Sequence, residues 1–438
     1  MLAAFRLATF SLIGVIALAG GATGESLHAT SEASEDAAAN TPPTPEWAAP
    51  LEEFLAAQLA KHQIPGASVA VVRQGVVLYA RGFGYADQEL RQPVRPASRF
   101  RIASLSKPLT ATAVLRLVEA GELNLESKLL DVLQGSAFLP AEGPGRDERL
   151  SEVTIRHLLQ HRAGWDRGVS GDPMFDSIRI ATALGKTPPA TLKDTIHSTL
   201  SRPLDFAPGE RYCYSNFGYC LLGRVIEHTS GMAYGDFVQQ RVLAPAGVTD
   251  AQLGRTLPRF RAEREVKYYD PGYGPSVFAA ERRVAKPYGA WNLEAMDAHG
   301  GWIATASDMA RYGSAYYGKP DESLLSASSL TATTERPGGA AGYTPQGEPT
   351  PNFYGLGWRV IPGGDGEGLR MNHLGSLSGA SSLLVCQSDG VSYALLCNSR
   401  KSEFTWHFCD AILPELMELM QRTTVPSQAG AASEPTEP

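Results

Sequence analysis

Three short clusters in this 438-residue chain carry side chains able to do covalent chemistry together. The first is "RIASLSKPLTATAVLRLVEAG", residues 101–121, where Ser104, Ser106 and Lys107 crowd the start of a helical apolar period. Helix positions three apart share a face, so the Ser104 hydroxyl and the Lys107 amine can meet. Serine alone is a poor nucleophile. A desolvated, neutral lysine beside it can take its proton, and a charged one can stabilise the alkoxide. A helix N-terminus adds free N–H groups and the positive end of a dipole. Pro108 fits the first turn, which does not need its N–H. The plainer reading makes Ser104 an N-cap and Lys107 a solvated charge. Ser106 reads as a cap or packing residue.

The second cluster is Tyr214-Ser215-Asn216, in "PGERYCYSNFGYCLLGRVIEHTSG". It ends a loop and opens a helix that Gly231 stops. Tyr214 can act as a base or proton relay if a nearby cation lowers its pKa, and Asn216 can donate to a substrate carbonyl. Otherwise Ser215 caps, Tyr214 packs and Asn216 binds backbone. The third is "NHLGSLSGASSLLV", residues 372–385. Alternation puts His373 and Gly375 on one face of a strand. Glycine there admits a close backbone approach by substrate, and the N–H groups of Ser376 and Ser104 can form an oxyanion hole.

Two rival sites were weighed. His157 and His161 are four apart on an expected helix, a spacing able to hold zinc, but Leu158 stands where the H-E-x-x-H motif has glutamate. No G-x-S-x-G elbow occurs, and strands do not alternate with helices, against an α/β-hydrolase. Five cysteines, an odd number without C-x-x-C spacing, indicate neither a disulfide framework nor a zinc site. No metal or cofactor is expected.

These clusters need elements to hold them. "EWAAPLEEFLAAQLAKHQI" has helical period and stops at Pro65-Gly66. "ASVAVVR" and "VVLYARGFGYA" form a hairpin about Gln74-Gly75. A long stretch of helices and loops follows. Three more strands, "LRMNHLG", "ASSLLVCQ" and "VSYALLCN", precede a last amphipathic helix, "SEFTWHFCDAILPELMELMQR", which Pro414 should bend. Strands at both chain ends with helices between predict an α+β fold: one antiparallel sheet from both ends, flanked by helices, with a helical insertion lobe. Net charge is −7 with no long basic run, which leaves no electrostatic footprint for nucleic acid. Residues 1–24 read as a signal peptide whose apolar run, Leu7 to Leu18, is short for a membrane span, though an uncleaved anchor is the alternative. Residues 25–46 read as a disordered linker, 47–422 as the folded body and 423–438 as a disordered tail.

The three clusters, in this order and spacing, resemble the serine beta-lactamase-related family. So do "TIRHLLQHRAGW", "GGWIATASDMARY" and "YGLGW" between them. The resemblance implies that Ser104 is acylated with Lys107 as activating partner, that Tyr214 is the base, and that Asn216 positions the substrate carbonyl. It puts His373 where class C beta-lactamases have a lysine, and gives the oxyanion hole to the N–H groups of Ser104 and Ser376. It implies an exported (periplasmic or secreted) hydrolase of a small ester or a D-amino-acid-type peptide amide. Beta-lactam hydrolysis is the runner-up, and an inactive binding or scaffold protein the alternative of another class. Residues 165–203 and 255–293 match nothing in that family's pattern and should shape the cleft.

Overall fold

The computed structural model describes residues 43–140, 146–318, 323–363, 368–400 and 407–427. The signal-peptide reading, most of the linker and most of the tail lie outside the described residues. The last described residues still make contacts: Val425 is buried, and its carbonyl accepts from Arg73 Nη1 at 2.7 Å.

The central element is an eight-stranded antiparallel sheet. Its strands are β1 (Gly66–Arg73), β2 (Val76–Asp87), β3 (Gln92–Pro93), β4 (Phe353–Tyr354), β5 (Arg359–Ile361), β6 (Arg370–Leu377), β7 (Ala380–Gln387) and β8 (Val391–Cys397). Their order is β3-β2-β1-β8-β7-β6-β5-β4. The two ends of the chain join where β1 meets β8, with Ala67 opposite Cys397 and Arg73 opposite Val391. The β1–β2 turn is at Gln74-Gly75, with φ of 48° and 80°. Two positive values in a two-residue loop give the turn whose twist suits a hairpin. Strands β1, β7 and β8 are buried along almost their whole length, because helices cover both faces.

On one face lie the first and last helices, α1 (Ala49–Lys61) and α7 (Phe408–Arg422). Leu55 and Leu59 of α1 and Ile412 and Leu416 of α7 meet Leu383, Tyr393 and Leu395 of the sheet there. Helix α7 runs through Pro414. The other face packs on α6 (Ala306–Ser314), and α2 (Ser106–Glu119) shares the apolar core on that side. Between them in sequence come α3 (Ile155–Leu159), α4 (Leu192–Leu200) and α5 (Asn216–Ser230). All five cysteines are thiols, four of them buried, including Cys386 and Cys397 within the sheet.

The expected amphipathic stripe on α2 is only part of its surface. Every residue from Ser106 to Leu115 is buried, so the helix is enclosed rather than laid on a core. Its polar groups are paired. Thr110 Oγ1 donates to the Ala298 carbonyl at 2.6 Å, and Thr112 Oγ1 bonds Tyr312 Oη at 2.7 Å. A buried hydroxyl without such a partner would cost about 1–3 kcal/mol.

The start of α2 is stapled to the sheet. Ser382 Oγ on β7 donates to the Ile102 carbonyl at 2.8 Å, and Ile102 N donates to the Trp302 carbonyl at 3.0 Å. Gly375 makes the close approach possible. A Cβ there would stand 2.1 Å from Ser382 Oγ and 2.3 Å from the Ile102 carbonyl oxygen. The space expected for a substrate backbone is thus taken by the chain's own backbone beside Ser104. Gly375→Ala should lower stability by about 1–3 kcal/mol through overpacking. Equilibrium denaturation would check it, and an unchanged midpoint would contradict the staple.

Candidate active site

Ser104 sits in a turn of 3-10 helix, Ala103–Leu105, which runs into α2 at Ser106. Ala103 opens the turn at φ 48°, a left-handed conformation unusual for a residue with a Cβ. Ser106 helps to hold it: its Oγ donates to the Ala103 carbonyl at 2.7 Å and accepts from Trp302 N at 3.3 Å. Neither Ser104 nor Ser106 makes a side-chain N-cap bond. From Arg101 to Leu115, Ser104 alone is not buried.

Beneath it lies Lys107, fully buried. Its amine lies 3.1 Å from Ser104 Oγ, and donates to Asn216 Oδ1 at 2.8 Å and to the His299 carbonyl at 2.9 Å. Burial pushes its pKa well below the ordinary lysine value, Asp172 pulls it back up, and Arg167 opposes that pull. Since the cation is disfavoured, the neutral amine spends its two N–H bonds on Asn216 Oδ1 and the His299 carbonyl, which leaves its lone pair to accept from the Ser104 hydroxyl.

The second cluster reaches the same point. Ser215 is the N-cap of α5, its Oγ accepting from Gly218 N at 3.2 Å, so Tyr214 and Asn216 flank a cap and project from a helix start. Asn216 is locked at both ends of its amide, with Oδ1 on Lys107 and Nδ2 donating to Asp172 Oδ2 at 2.6 Å. The Tyr214 phenol faces Ser104, and its ring centre lies 4.7 Å from the Lys107 amine. Burial raises the phenol's pKa, outweighing the opposing influence of Ser104 and the charge of Arg167. The sequence reading needed a cation to lower it. Desolvation wins instead, and Tyr214 stays protonated.

The third cluster lines the opposite wall. Strand β5 leaves β6 after the pair Arg359–Asn372, so β6 from His373 onward has an open edge beside Ser104. His373 is nearly buried and both ring nitrogens are engaged. Nδ1 lies 2.8 Å from the Leu374 carbonyl, so it carries the proton, and Nε2 accepts from Tyr354 Oη at 2.9 Å. Burial, with Lys107 nearby, holds its pKa down to about 3. His373 therefore has no N–H left for a substrate. Ser376 stands further along the edge, its Oγ bonded to His407 Nδ1 at 3.0 Å.

Ser104, Tyr214, Asn216, His373, Gly375 and Ser376 line one cleft of about 780 Å³. Lys107 lies buried behind Ser104, outside the lining. Sequence reasoning missed Arg167 and Asp172, which come from the unmatched segment 165–203, and Tyr212, Arg359 and Arg400. Asp172 precedes Pro173 and caps a short turn, accepting from Met174 N at 3.1 Å, which is an ordinary loop signal. Nothing in it announces a partner for Asn216. Tyr354 lay within the phrase "YGLGW", without an assigned role.

The zinc reading fails on geometry. Helix α3 ends at Leu159, and His161 has φ 56°, so the two histidines do not share a helical face. His157 closes a capping box with Thr154, and no group of His, Cys, Asp or Glu among the described residues could hold a metal.

Known proteins resemble this chain in sequence and fold. The family model described as Beta-lactamase matches residues 51–411. "Penicillin-binding protein 4*" of Bacillus subtilis (strain 168) is 30% identical over 336 residues, which cover 74% of this chain and 66% of that protein. Esterase EstB of Burkholderia gladioli is 32% identical over 260 residues, covering 55% of this chain and 64% of the esterase. The chain thus spans just under two thirds of each. Among solved structures, the D-amino acid amidase from Ochrobactrum anthropi SV3 superposes with a TM-score of 0.64 at 23% identity, over 86% of this chain and 99% of that one. The match runs through all three clusters and most of the described residues: the chain belongs to the beta-lactamase family of serine hydrolases.

Proposed function

We propose that this chain is an exported serine hydrolase working through an acyl-enzyme on Ser104, with an ester or a D-amino-acid-type amide as substrate. One observation carries the reading: a fully buried Lys107 amine, disfavoured as a cation, bonded at 3.1 Å to the one accessible hydroxyl of its turn. The relatives point the same way, one being named an esterase and another a D-amino acid amidase. Export rests on the N-terminal sequence, with its single early arginine and apolar run.

Neutral Lys107 takes the Ser104 proton as Oγ bonds to the substrate carbonyl carbon. The N–H groups of Ser104 and Ser376 face the oxyanion, and Asn216 keeps one N–H for the substrate because the other is spent on Asp172. Tyr214, held protonated, gives its proton to the leaving group as the scissile bond breaks. The phenolate so formed is reprotonated by the Lys107 ammonium, which lies over the Tyr214 ring, and this resets both groups while the acylated Ser104 oxygen takes no part. Water then enters by the reverse sequence and frees the acid. A carboxylate-bearing substrate, beta-lactams included, is the second reading. Arg167 and Arg359 favour it, both lining the cleft, and Arg167 makes no ion pair among the described residues.

Ser104→Ala should abolish turnover of a short-chain nitrophenyl ester and labelling by a fluorophosphonate. Stability should stay within about 1 kcal/mol, since no cap bond is lost. Activity or labelling in a clean Ser104→Ala preparation would remove Ser104 as nucleophile, and an unlabelled parent chain would favour a scaffold. With the parent, the nitrophenyl ester should turn over faster than a chromogenic cephalosporin, and the reverse order would establish the second reading.

The charges around Lys107 also make a pH prediction. The neutral amine is the working form, so kcat/KM should rise with pH through the Lys107 pKa. Asp172 favours the ammonium and Arg167 disfavours it. Asp172→Asn should therefore move the rise to lower pH, and Arg167→Gln to higher pH. Shifts in one common direction, or none, would take Lys107 out of the proton transfer.

A further inference from the structure

His161 has no place in the chemistry above, yet it is tied to the residues that do. It is buried, follows α3, and holds a left-handed backbone at φ 56°. Such a conformation costs a residue with a Cβ, and it persists where surrounding bonds impose it. Its N–H bonds back to the Leu158 carbonyl at 3.2 Å, and its other two bonds lead to one loop. The His161 carbonyl accepts from Cys213 N at 2.8 Å, and His161 Nδ1 accepts from Ser215 N at 3.1 Å. One residue thus holds the peptide on both sides of Tyr214. The ring packs behind two residues that line the cleft. Its centre lies 4.4 Å from the ring of Tyr214 and 4.5 Å from that of Tyr354, the tyrosine that donates to His373. Tyr219 closes a third side at 4.9 Å.

The proton inventory follows. A ring nitrogen that accepts from a backbone N–H carries no proton, so the neutral ring bears its hydrogen on Nε2. That atom is buried without a hydrogen-bond partner. A side chain kept only to fill space would shed such a group, because an unpaired buried donor costs stability. The acceptor at Nδ1 is what an apolar replacement would lose.

We infer that His161 is a positioning residue for Tyr214, clamping residues 213 and 215 by its carbonyl and Nδ1 and setting the phenol's angle by its ring. The inference rests on the reading of Ser104 and Tyr214 given above.

The test is a double-mutant cycle on a nitrophenyl ester. His161→Phe keeps a ring and loses the acceptor. It should lower kcat about 10- to 100-fold, the usual effect of a misplaced catalytic group, with KM changed less than about threefold. In a Tyr214→Phe background the same change should cost less than about threefold, because the group it positions is already gone. His161→Asn tolerates the left-handed backbone and places an acceptor near the site of Nδ1, so it should fold and retain more kcat than His161→Phe. Equal losses with and without the Tyr214 hydroxyl would overturn the inference, as would full activity in His161→Phe. Should His161→Phe fail to fold, the cycle runs on His161→Asn and His161→Ala, and additive losses there overturn it equally. Fluorophosphonate labelling of the parent separates the two failures: no label overturns the Ser104 reading, while a labelled parent with additive losses overturns His161 alone.

Discussion

An amine with no water around it is the constraint from which the site follows. Taking a charged ammonium out of water costs several kcal/mol even after relaxation, and Lys107 is fully buried inside a helix enclosed on nearly every side. Two responses are available, to lose the proton or to be surrounded by acceptors, and the fold supplies both. Three oxygens from three parts of the chain surround the nitrogen. The nearest charges, Asp172 and Arg167, pull its proton affinity in opposite directions. A lysine so held is disfavoured as a cation, and the hydroxyl beside it belongs to the one residue of its turn that is not buried.

The rest of the fold keeps that nitrogen's surroundings fixed. The turn at Ala103 is strained, and it is held by hydrogen bonds to strand Trp302–Ala304 and to β7, with Gly375 allowing the approach. Asn216 is held by Asp172, and Tyr214 lies in a loop whose neighbours bond to His161. Each reacting group is backed by a partner that does not itself react. Such backing shells give a site its precision.

Local chemistry was largely legible in the sequence, and its geometry was not. Ser104, Lys107, Tyr214 and Asn216 were marked not by any one cluster but by three clusters standing in a known family's order, and the structure brings them together. The hairpin at Gln74-Gly75 and the strands at both chain ends were readable from period and turn residues. Asp172 and Arg167 were hidden because loop residues have no period, and their partners are fixed only by tertiary contact. His161 entered the sequence reading only as half of a zinc pair that was set aside, and no sequence rule reveals that the helix ends two residues before it and turns its carbonyl and ring toward residues 213–215. His373 stood on the expected strand, but no sequence rule reveals that Tyr354 and a backbone carbonyl occupy its two nitrogens. Gly375 was noticed for the right property and given the wrong neighbour.

The join between the chain's two ends bears on how this molecule comes into being. Strand β1 cannot acquire its inner neighbour until β8 exists, and the bond from Ser382 to Ile102 closes a gap of 280 positions in sequence. On a ribosome, the segment bearing Ser104 therefore emerges long before the strands that set its angle. Contacts this distant along the chain form late and slowly, since loop closure must precede any gain from pairing. A nascent chain of this design is an unfinished sheet with apolar faces and an unpaired edge for most of its synthesis, a state prone to aggregation. The surroundings of Ser104 are therefore complete only when the last strands arrive, and the cleft is among the last parts of the molecule to take shape.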